Sequence, residues 1–275
     1  IGVSILVILM IIILLSRFAI KKKTNLQLVH KNEVISSQRD ELKQINSTKD
    51  KFFSIISHDL RSPFSNILGF TNLLAEDYDT FDEAEKKDII IQLNKSAKTT
   101  FDLLANLLTW SQTQTGQIEI NKENLNLKEL VENTITPYQC NAIQKDIEII
   151  TNIPPNITIK IDRNTSYVFI GNLINNAIKF TPKGGTITIN TRENKDTIEL
   201  HIIDSGVGMT SEKIEKLFKK EEHISTKGTN DEEGTGLGLI LSQEFIHKNG
   251  GNISVTSELG KGSKFIISLP KESNP

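Results

Sequence analysis

Residues 1–15 carry no charge and are nearly all Ile, Leu and Val; Ser16, Arg17 and then Lys21-Lys22-Lys23 follow. That pattern predicts a membrane helix over 1–20, cut short at its start, since a full span takes about 20 apolar residues. A signal peptide carries its positive charges before the apolar run rather than after it. The positive-inside rule then puts everything beyond Lys23 in the cytoplasm, below an inner (cytoplasmic) membrane crossed once by the segment seen here. Past the lysines the apolar period becomes seven. Leu28, Ile35 and Leu42 recur in one register, and no Gly or Pro interrupts the stretch. This predicts a helical, coiled-coil connector over 21–50, paired with a second copy, along which a twist at the bilayer could travel.

From residue 51 the apolar spacing alternates three and four, at Phe53, Ile56, Leu60, Pro63, Ile67, Phe70 and Leu74. Such a seam packs against other helices. The helix should end near Glu76, at the turn Asp77-Tyr78-Asp79-Thr80, and Pro63 should bend it because proline lacks a backbone donor. A second helix is expected from about Asp82 to Gln114, with an apolar stripe through Ile90, Leu93, Ala97, Thr100/Phe101, Leu104 and Leu107/Leu108, ended by Gly116. Two such helices form an antiparallel hairpin over 51–116. One hairpin leaves its seams half covered, so two copies should form a four-helix bundle, a homodimer.

Over 117–275 the pattern turns to short strands and helices. Ile118–Ile120, Ile147–Ile150, Thr158–Ile161, Thr186–Thr191, Thr197–Ile203, Asn252–Thr256 and Lys264–Leu269 read as strands. Arg163–Phe180, Ser211–Phe218 and Leu237–Lys248 read as helices. The class is α+β: a membrane helix, a helical hairpin, and an α/β sandwich with one helical layer on a mostly antiparallel sheet.

Charge and composition remove several functions. The net charge is −2 and aromatics make up 6%, without interleaved basic residues, so nothing draws the chain to nucleic acid. A lone cysteine, Cys140, excludes an internal disulfide, and the scattered histidines lack zinc spacing.

Five short motifs carry candidate chemistry. His58, in Ser57-His58-Asp59-Leu60-Arg61-Ser62-Pro63, lies about 200° from the midpoint of Ile56 and Leu60 at about 100° per residue. It projects away from the seam as a nucleophile for something that docks from outside. Asn172 and Asn176 share a helix face with Lys179. An amide oxygen suits Mg2+, which keeps several of its own waters, and Lys179 can neutralise phosphate. Asp204-Ser205-Gly206-Val207-Gly208 follows a strand; its carboxylate can accept from an exocyclic amine, and its glycines let a base approach the backbone. Phe218 precedes the polar run Lys219–Glu233, which reads as a mobile lid. Gly234-Thr235-Gly236-Leu237-Gly238-Leu239 enters a helix whose free N–H groups favour phosphate. No strand stands directly before these glycines and no G-x-x-x-x-G-K-[ST] occurs, so neither a dinucleotide fold nor a P-loop fits.

In sequence and in order, these segments resemble the H, N, G1, F and G2 boxes of the sensor histidine kinases of two-component systems, over about residues 47–270. The resemblance implies a Bergerat-type ATP-binding domain tethered to a dimeric hairpin. It implies ATP and Mg2+ as cofactors, with Asn176 the metal ligand and Asp204 meeting the adenine amine. The nucleotide-binding set would be Asn172, Asn176, Lys179, Phe180, Asp204, Gly206, Gly208, Phe218, Gly234, Thr235, Gly236, Leu237, Gly238 and Ser263, the last standing where the family usually has Thr. His58 would take the γ-phosphoryl group, and Asp59 would hold its other ring nitrogen. ATP-hydrolysing relatives of this fold place a Glu four positions before the metal-binding Asn. Here that position is Asn172, which takes no proton at neutral pH. Ser62, where the family often has Thr or Asn, could orient a water for phosphatase action. The chain stops just after its last strand, so the expected acceptor is an aspartate on a separate response regulator receiver domain. Two rival readings are a nucleotide-gated membrane scaffold that transfers nothing and a conformational ATPase, the latter disfavoured by Asn172.

Overall fold

The computed structural model describes residues 2–114, 118–218, 226–230, 232 and 236–271. Within the helices, the side chains of 3–9, 11–15, 19, 26, 41, 42, 44, 45, 47–59, 110 and 114 are outside the described set. The chain divides into two compact units, Ile1–Ile55 and Ile56–Pro275.

The first unit is helix, part of α1 (Gly2–Glu76). Leu28 and Ile35, the described members of the seven-residue repeat, are more than half exposed. Among the described residues no helix is long and apolar enough to cross a membrane. Most side chains of the membrane helix expected at 1–20 lie outside the described set.

In the second unit α1 continues through the buried Pro63 to Glu76. Its described seam residues Leu60, Ile67, Phe70 and Leu74 are half-buried, whereas the residues between them, apart from Pro63, are exposed. A short turn leads to α2 (Glu83–Gln114). Asp82 and Glu85 cap that helix reciprocally: the Glu85 N–H donates to Asp82 Oδ1 at 2.8 Å and the Asp82 N–H to Glu85 Oε2 at 2.9 Å. The covered stripe on α2 matches the expected one only at Leu93, Thr100 and Leu107. It runs through Ile89, Leu93, Thr100, Leu103 and Leu107, while Ile90, Ala97, Phe101, Leu104 and Leu108 are exposed. The helix is apolar on two faces, and one chain covers only one of them. Gly116, the expected stop, lies outside the described residues.

The rest of the unit is built from β1 (Lys122–Asn126), α3 (Leu127–Ile135), α4 (Gln139–Gln144), β2 (Glu148–Asn152), β3 (Thr158–Asp162), α5 (Arg163–Phe180), β4 (Thr186–Glu193), β5 (Thr197–Asp204), α6 (Ser211–Lys216), α7 (Leu237–Lys248), β6 (Asn252–Glu258) and β7 (Gly262–Pro270). Five strands form one sheet in the order β2-β4-β5-β7-β6, parallel only at β2–β4; β1 and β3 pair separately. The strand expected at Ile118–Ile120 is irregular chain, and pairing starts at Lys122, opposite Asp162. Helix α3 has no counterpart among the expected elements. Its N-cap is Asn126, whose Oδ1 accepts the Glu129 N–H at 3.1 Å, and Leu127, Leu130, Val131, Thr134 and Ile135 form its buried face.

Period-two alternation sets the core. Ile187 and Ile189 of β4, Ile198, Leu200 and Ile202 of β5, and Phe265, Ile267 and Leu269 of β7 are all buried on one face. Each such side chain contributes about 1.5–3 kcal/mol. Helix α5 packs along α7 and over β5, closing this face.

Candidate nucleotide site

Asp204 closes the inward row Ile198–Leu200–Ile202 of β5, so strand geometry points its carboxylate under the helical layer. It is 4% exposed. Its Oδ1 accepts the Gly206 N–H at 2.9 Å and the Ser263 N–H at 3.1 Å. Burial pushes the carboxyl above the ordinary aspartate range, and the two N–H donors partly oppose that. Among the described residues Oδ2 has no partner, so one acceptor oxygen stays available beside the cavity.

The glycines after Asp204 answer to the protein's own backbone. A Cβ on Gly206 would stand 2.5 Å from the Phe180 carbonyl oxygen, which accepts the Val207 N–H at 3.1 Å. Gly208 has φ +66° and would meet the Glu258 carbonyl. Both are required for this loop to lie between the end of α5 and β6, which is a different reason from the approach of a base.

Helix α5, capped by Asp162 at the Thr165 N–H, presents Asn172, Asn176 and Lys179 to one cavity of about 530 Å³, within the usual range for a small-molecule site. The Asn172 Nδ2 donates to the Gly238 carbonyl at 3.1 Å and to Ser242 Oγ at 3.3 Å. It ties α5 to the first turn of α7, and it is an amide where a base would be needed to activate water. Asn176 is half-buried, and its amide has no hydrogen-bond partner among the described residues. Lys179 is 8% exposed; its Nζ donates to the Thr226 carbonyl at 2.8 Å and lies 4.8 Å from the Phe180 ring centroid. Gly236, in the left-handed region at φ +63°, caps α7, and it lines the same cavity together with Gly238 and Leu239 of that helix's first turn.

Two comparisons of sequence agree on what these elements are. Residues 48–116 match the His Kinase A (phospho-acceptor) domain. Residues 161–273 match the histidine kinase-, DNA gyrase B-, and HSP90-like ATPase family. This chain carries the phospho-acceptor and ATPase domains found in histidine kinases. Relatives of the chain include hybrid signal transduction histidine kinase D of Dictyostelium discoideum, 30% identical over 92% of this chain and 17% of that protein. The sensor protein SrrB of Staphylococcus aureus is 30% identical over 88% of this chain and 42% of that protein. The chain thus spans less than half the length of these two relatives. Among solved structures, the Acinetobacter baumannii histidine kinase AdeS shares the fold at a TM-score of 0.62 and 22% identity, over 78% of this chain and 98% of that one. Histidine kinase ThkA, solved in complex with response regulator protein TrrA, does so at 0.65 and 22% identity, over 80% of this chain and 61% of that one.

In this chain, Asn172, Asn176, Lys179, Phe180, Asp204, Gly208, Gly236, Gly238 and Ser263 all line the cavity. Gly206 lies behind it, holding the Asp204 loop. Leu237 is buried at the start of α7 and Phe218 packs half-buried against the core, so both serve the frame of the site; the neighbouring Leu217 is the residue that reaches the cavity. Gly234 and Thr235 lie outside the described residues, as do the side chains of His58 and Asp59 on α1 and most of the run Lys219–Glu233 expected as a lid. Ser62 is exposed on α1.

The cavity has a wall that the motifs did not announce. Lys98, Asp102, Ala105 and Asn106 of α2 line it. Tyr138 lines it too, its phenol pushed up by burial and then by the Asp102 charge. Gly171 makes room for that tyrosine, since a Cβ there would be 2.8 Å from the hydroxyl. Lys213 also lines it, with Nζ 3.2 Å from Thr226 Oγ1 and its pKa lowered by burial. The α2 residues carry no local motif; only the exposed polar side of that helix, next to a docked domain, could have marked them.

Proposed function

We propose that this chain binds ATP with Mg2+ in the cavity between α5, α7 and the end of β5, phosphorylates His58, and passes the phosphoryl group to an aspartate on a response regulator. The observation that carries this is Asp204: a buried carboxylate with one oxygen fully engaged by backbone and the other left for an adenine amine. Ser263, whose N–H holds Asp204 and whose Oγ lies 3.0 Å from Ser257 Oγ, stands at the same edge. The partner class is supported by ThkA, which shares the fold and forms a complex with the response regulator protein TrrA.

The residues present fit Mg2+. Asn176 offers an unengaged amide oxygen, and among the described residues no cluster of three His, Cys, Asp or Glu side chains forms a protein cage. A single neutral ligand suits an ion that keeps its waters and arrives on nucleotide phosphates. When bound, it supplies charge neutralisation at the β- and γ-phosphates. Lys179 and the N–H groups of α7 hold the phosphate chain. The neutral imidazole of His58 attacks phosphorus through its free ring nitrogen. The N–P bond forms as the bond to the β,γ-bridging oxygen breaks, and ADP leaves with that electron pair. Asp59 accepts a hydrogen bond from the other ring nitrogen and stabilises the developing positive charge. With an amide at Asn172, water has no general base there.

The exposed apolar faces support a homodimer. Phe101 is 71% exposed and Leu108 64%, and together with Ile90 and Leu104 they mark a face of α2 that a second copy would cover. Residues 1–20, followed by the lysine cluster, would anchor the chain in the inner membrane with the kinase domains cytoplasmic. Ser62, one turn beyond His58, would orient water for phosphatase action on the regulator. Incubating the chain with γ-labelled ATP and Mg2+ should label the wild type with an acid-labile, base-stable phosphate and leave His58→Gln unlabelled. Equal labelling of the two proteins would sink the proposal.

A further inference from the structure

Lys145 follows α4 and is 5% exposed. A buried ammonium is tolerated only with its protons engaged. Here Nζ donates to the Ile178 carbonyl at 2.8 Å, the Lys179 carbonyl at 3.2 Å, Thr229 Oγ1 at 2.7 Å and Glu232 Oε1 at 2.8 Å. The two carbonyls belong to the last turn of α5, where helix acceptors lack intrahelical partners and the helix dipole is negative.

The other side of this contact is Gly228–Glu232. The Thr229 N–H donates to the Lys179 carbonyl at 3.0 Å, and its hydroxyl donates to the Thr181 carbonyl at 2.9 Å. Glu232 folds back on the same turn, taking the Asn230 N–H on Oε2 at 2.7 Å and giving its carbonyl to the Gly228 N–H at 2.8 Å. Burial alone would raise the Glu232 carboxyl, but the bonds from Lys145 and Asn230 outweigh it and hold it low. Gly228 lies so close that a Cβ would be 2.6 Å from Lys179 Cγ and 2.8 Å from the Lys179 carbonyl oxygen. Four residues beyond Glu232 stands Gly236, the cap of α7.

We propose that Lys145, through Thr229 and Glu232, is a positioning residue for the phosphate end of the nucleotide site. It clamps Thr226–Asn230 and Glu232 onto the turn of α5 that carries Asn176 and Lys179, although it touches no nucleotide itself. Lys179, whose ammonium meets the Thr226 carbonyl, is thereby fixed from both its backbone and its side chain. The inference rests on the nucleotide reading of the cavity.

The test compares Mg·ATP and adenosine binding to the full chain by calorimetry. Lys145→Met should weaken Mg·ATP by about tenfold or more, the scale of losing hydrogen bonds to a charged group, and leave adenosine within about twofold. Glu232→Gln, at a half-buried position, removes the charge and keeps an acceptor; it should shift the same ratio in the same direction. The double variant should be no worse than Lys145→Met alone. If Lys145→Met fails to fold, Glu232→Gln decides alone. Wild-type affinity for Mg·ATP in these variants, or an equal loss of ATP and adenosine, would overturn the positioning role. Failure of the wild-type chain to bind either ligand would instead overturn the nucleotide reading.

Discussion

Replacing Asp204 with Asn should separate ligand recognition from stability, because the two respond with opposite sign. Asn keeps an oxygen for the Gly206 and Ser263 N–H groups, which lie at 2.9 and 3.1 Å from Oδ1. What changes is the other atom, where an NH2 group would face the adenine amine donor to donor. A hydrogen bond to a charged group contributes about 1.5–3 kcal/mol, so ATP affinity should fall by about 10- to 150-fold. The unliganded protein should melt at the same temperature or higher, since the substitution relieves a charge buried at 4% exposure. GTP, which presents a carbonyl where ATP presents an amine, should lose much less. The pH dependence has a definite direction. Burial raises the folded-state pKa of Asp204, so its contribution to apo stability is fully present below the ordinary aspartate pKa of about 3.9 and is lost as pH rises through the raised value. ATP needs the ionised form, so affinity should drop as pH falls through that raised pKa, and Asp204→Asn should remove this dependence. Calorimetric titrations with ATP and GTP across pH, together with melting curves, measure all of this. Asp204→Asn binding ATP within about twofold of wild type, or losing ATP and GTP equally, would refute the assignment.

Other substitutions probe neighbouring parts of the site. Gly206→Ala puts a Cβ 2.5 Å from the Phe180 carbonyl, so a melting curve should show a loss of about 1–3 kcal/mol together with weakened adenosine binding. Asn172→Asp sets a carboxylate against the Gly238 carbonyl in place of a donor at 3.1 Å; thermal melts should register a loss of about 1–3 kcal/mol. Asn176→Ala should leave adenosine binding intact and abolish the dependence of ATP affinity on Mg2+, measured by titrating ATP with and without the metal.

Much of this molecule can be read from local pattern. The three-four spacing of Leu60, Ile67, Phe70 and Leu74 marks the half-buried side of α1, and the boundaries of α5 and α7 match expectation because each has an unambiguous start and stop. Asp204 is legible because strand alternation carries Ile198, Leu200 and Ile202 straight to it. The departures have physical causes. On α2 two apolar stripes compete: Leu93, Thr100 and Leu107 of the expected face are covered, whereas Ile90, Phe101 and Leu108 are left exposed by a single chain. Helix α3 is hidden despite the cap Asn126 and its buried face, since strand-like alternation at Ile118–Ile120 suggests pairing in a segment that has no partner strand. The α2 wall of the cavity and the Lys145 clamp join residues far apart in the chain, and no local spacing encodes such a meeting.

The most direct measurement is the site and fate of the γ-phosphoryl group. The full chain is incubated with ATP and Mg2+, digested at neutral pH and mapped by mass spectrometry. The predicted result is one added phosphoryl group on the peptide carrying His58, lost in acid and removed on addition of a receiver domain. Steady phosphate release with no phosphoprotein, or modification at another residue, would contradict the claim that His58 is the nucleophile this ATP site serves.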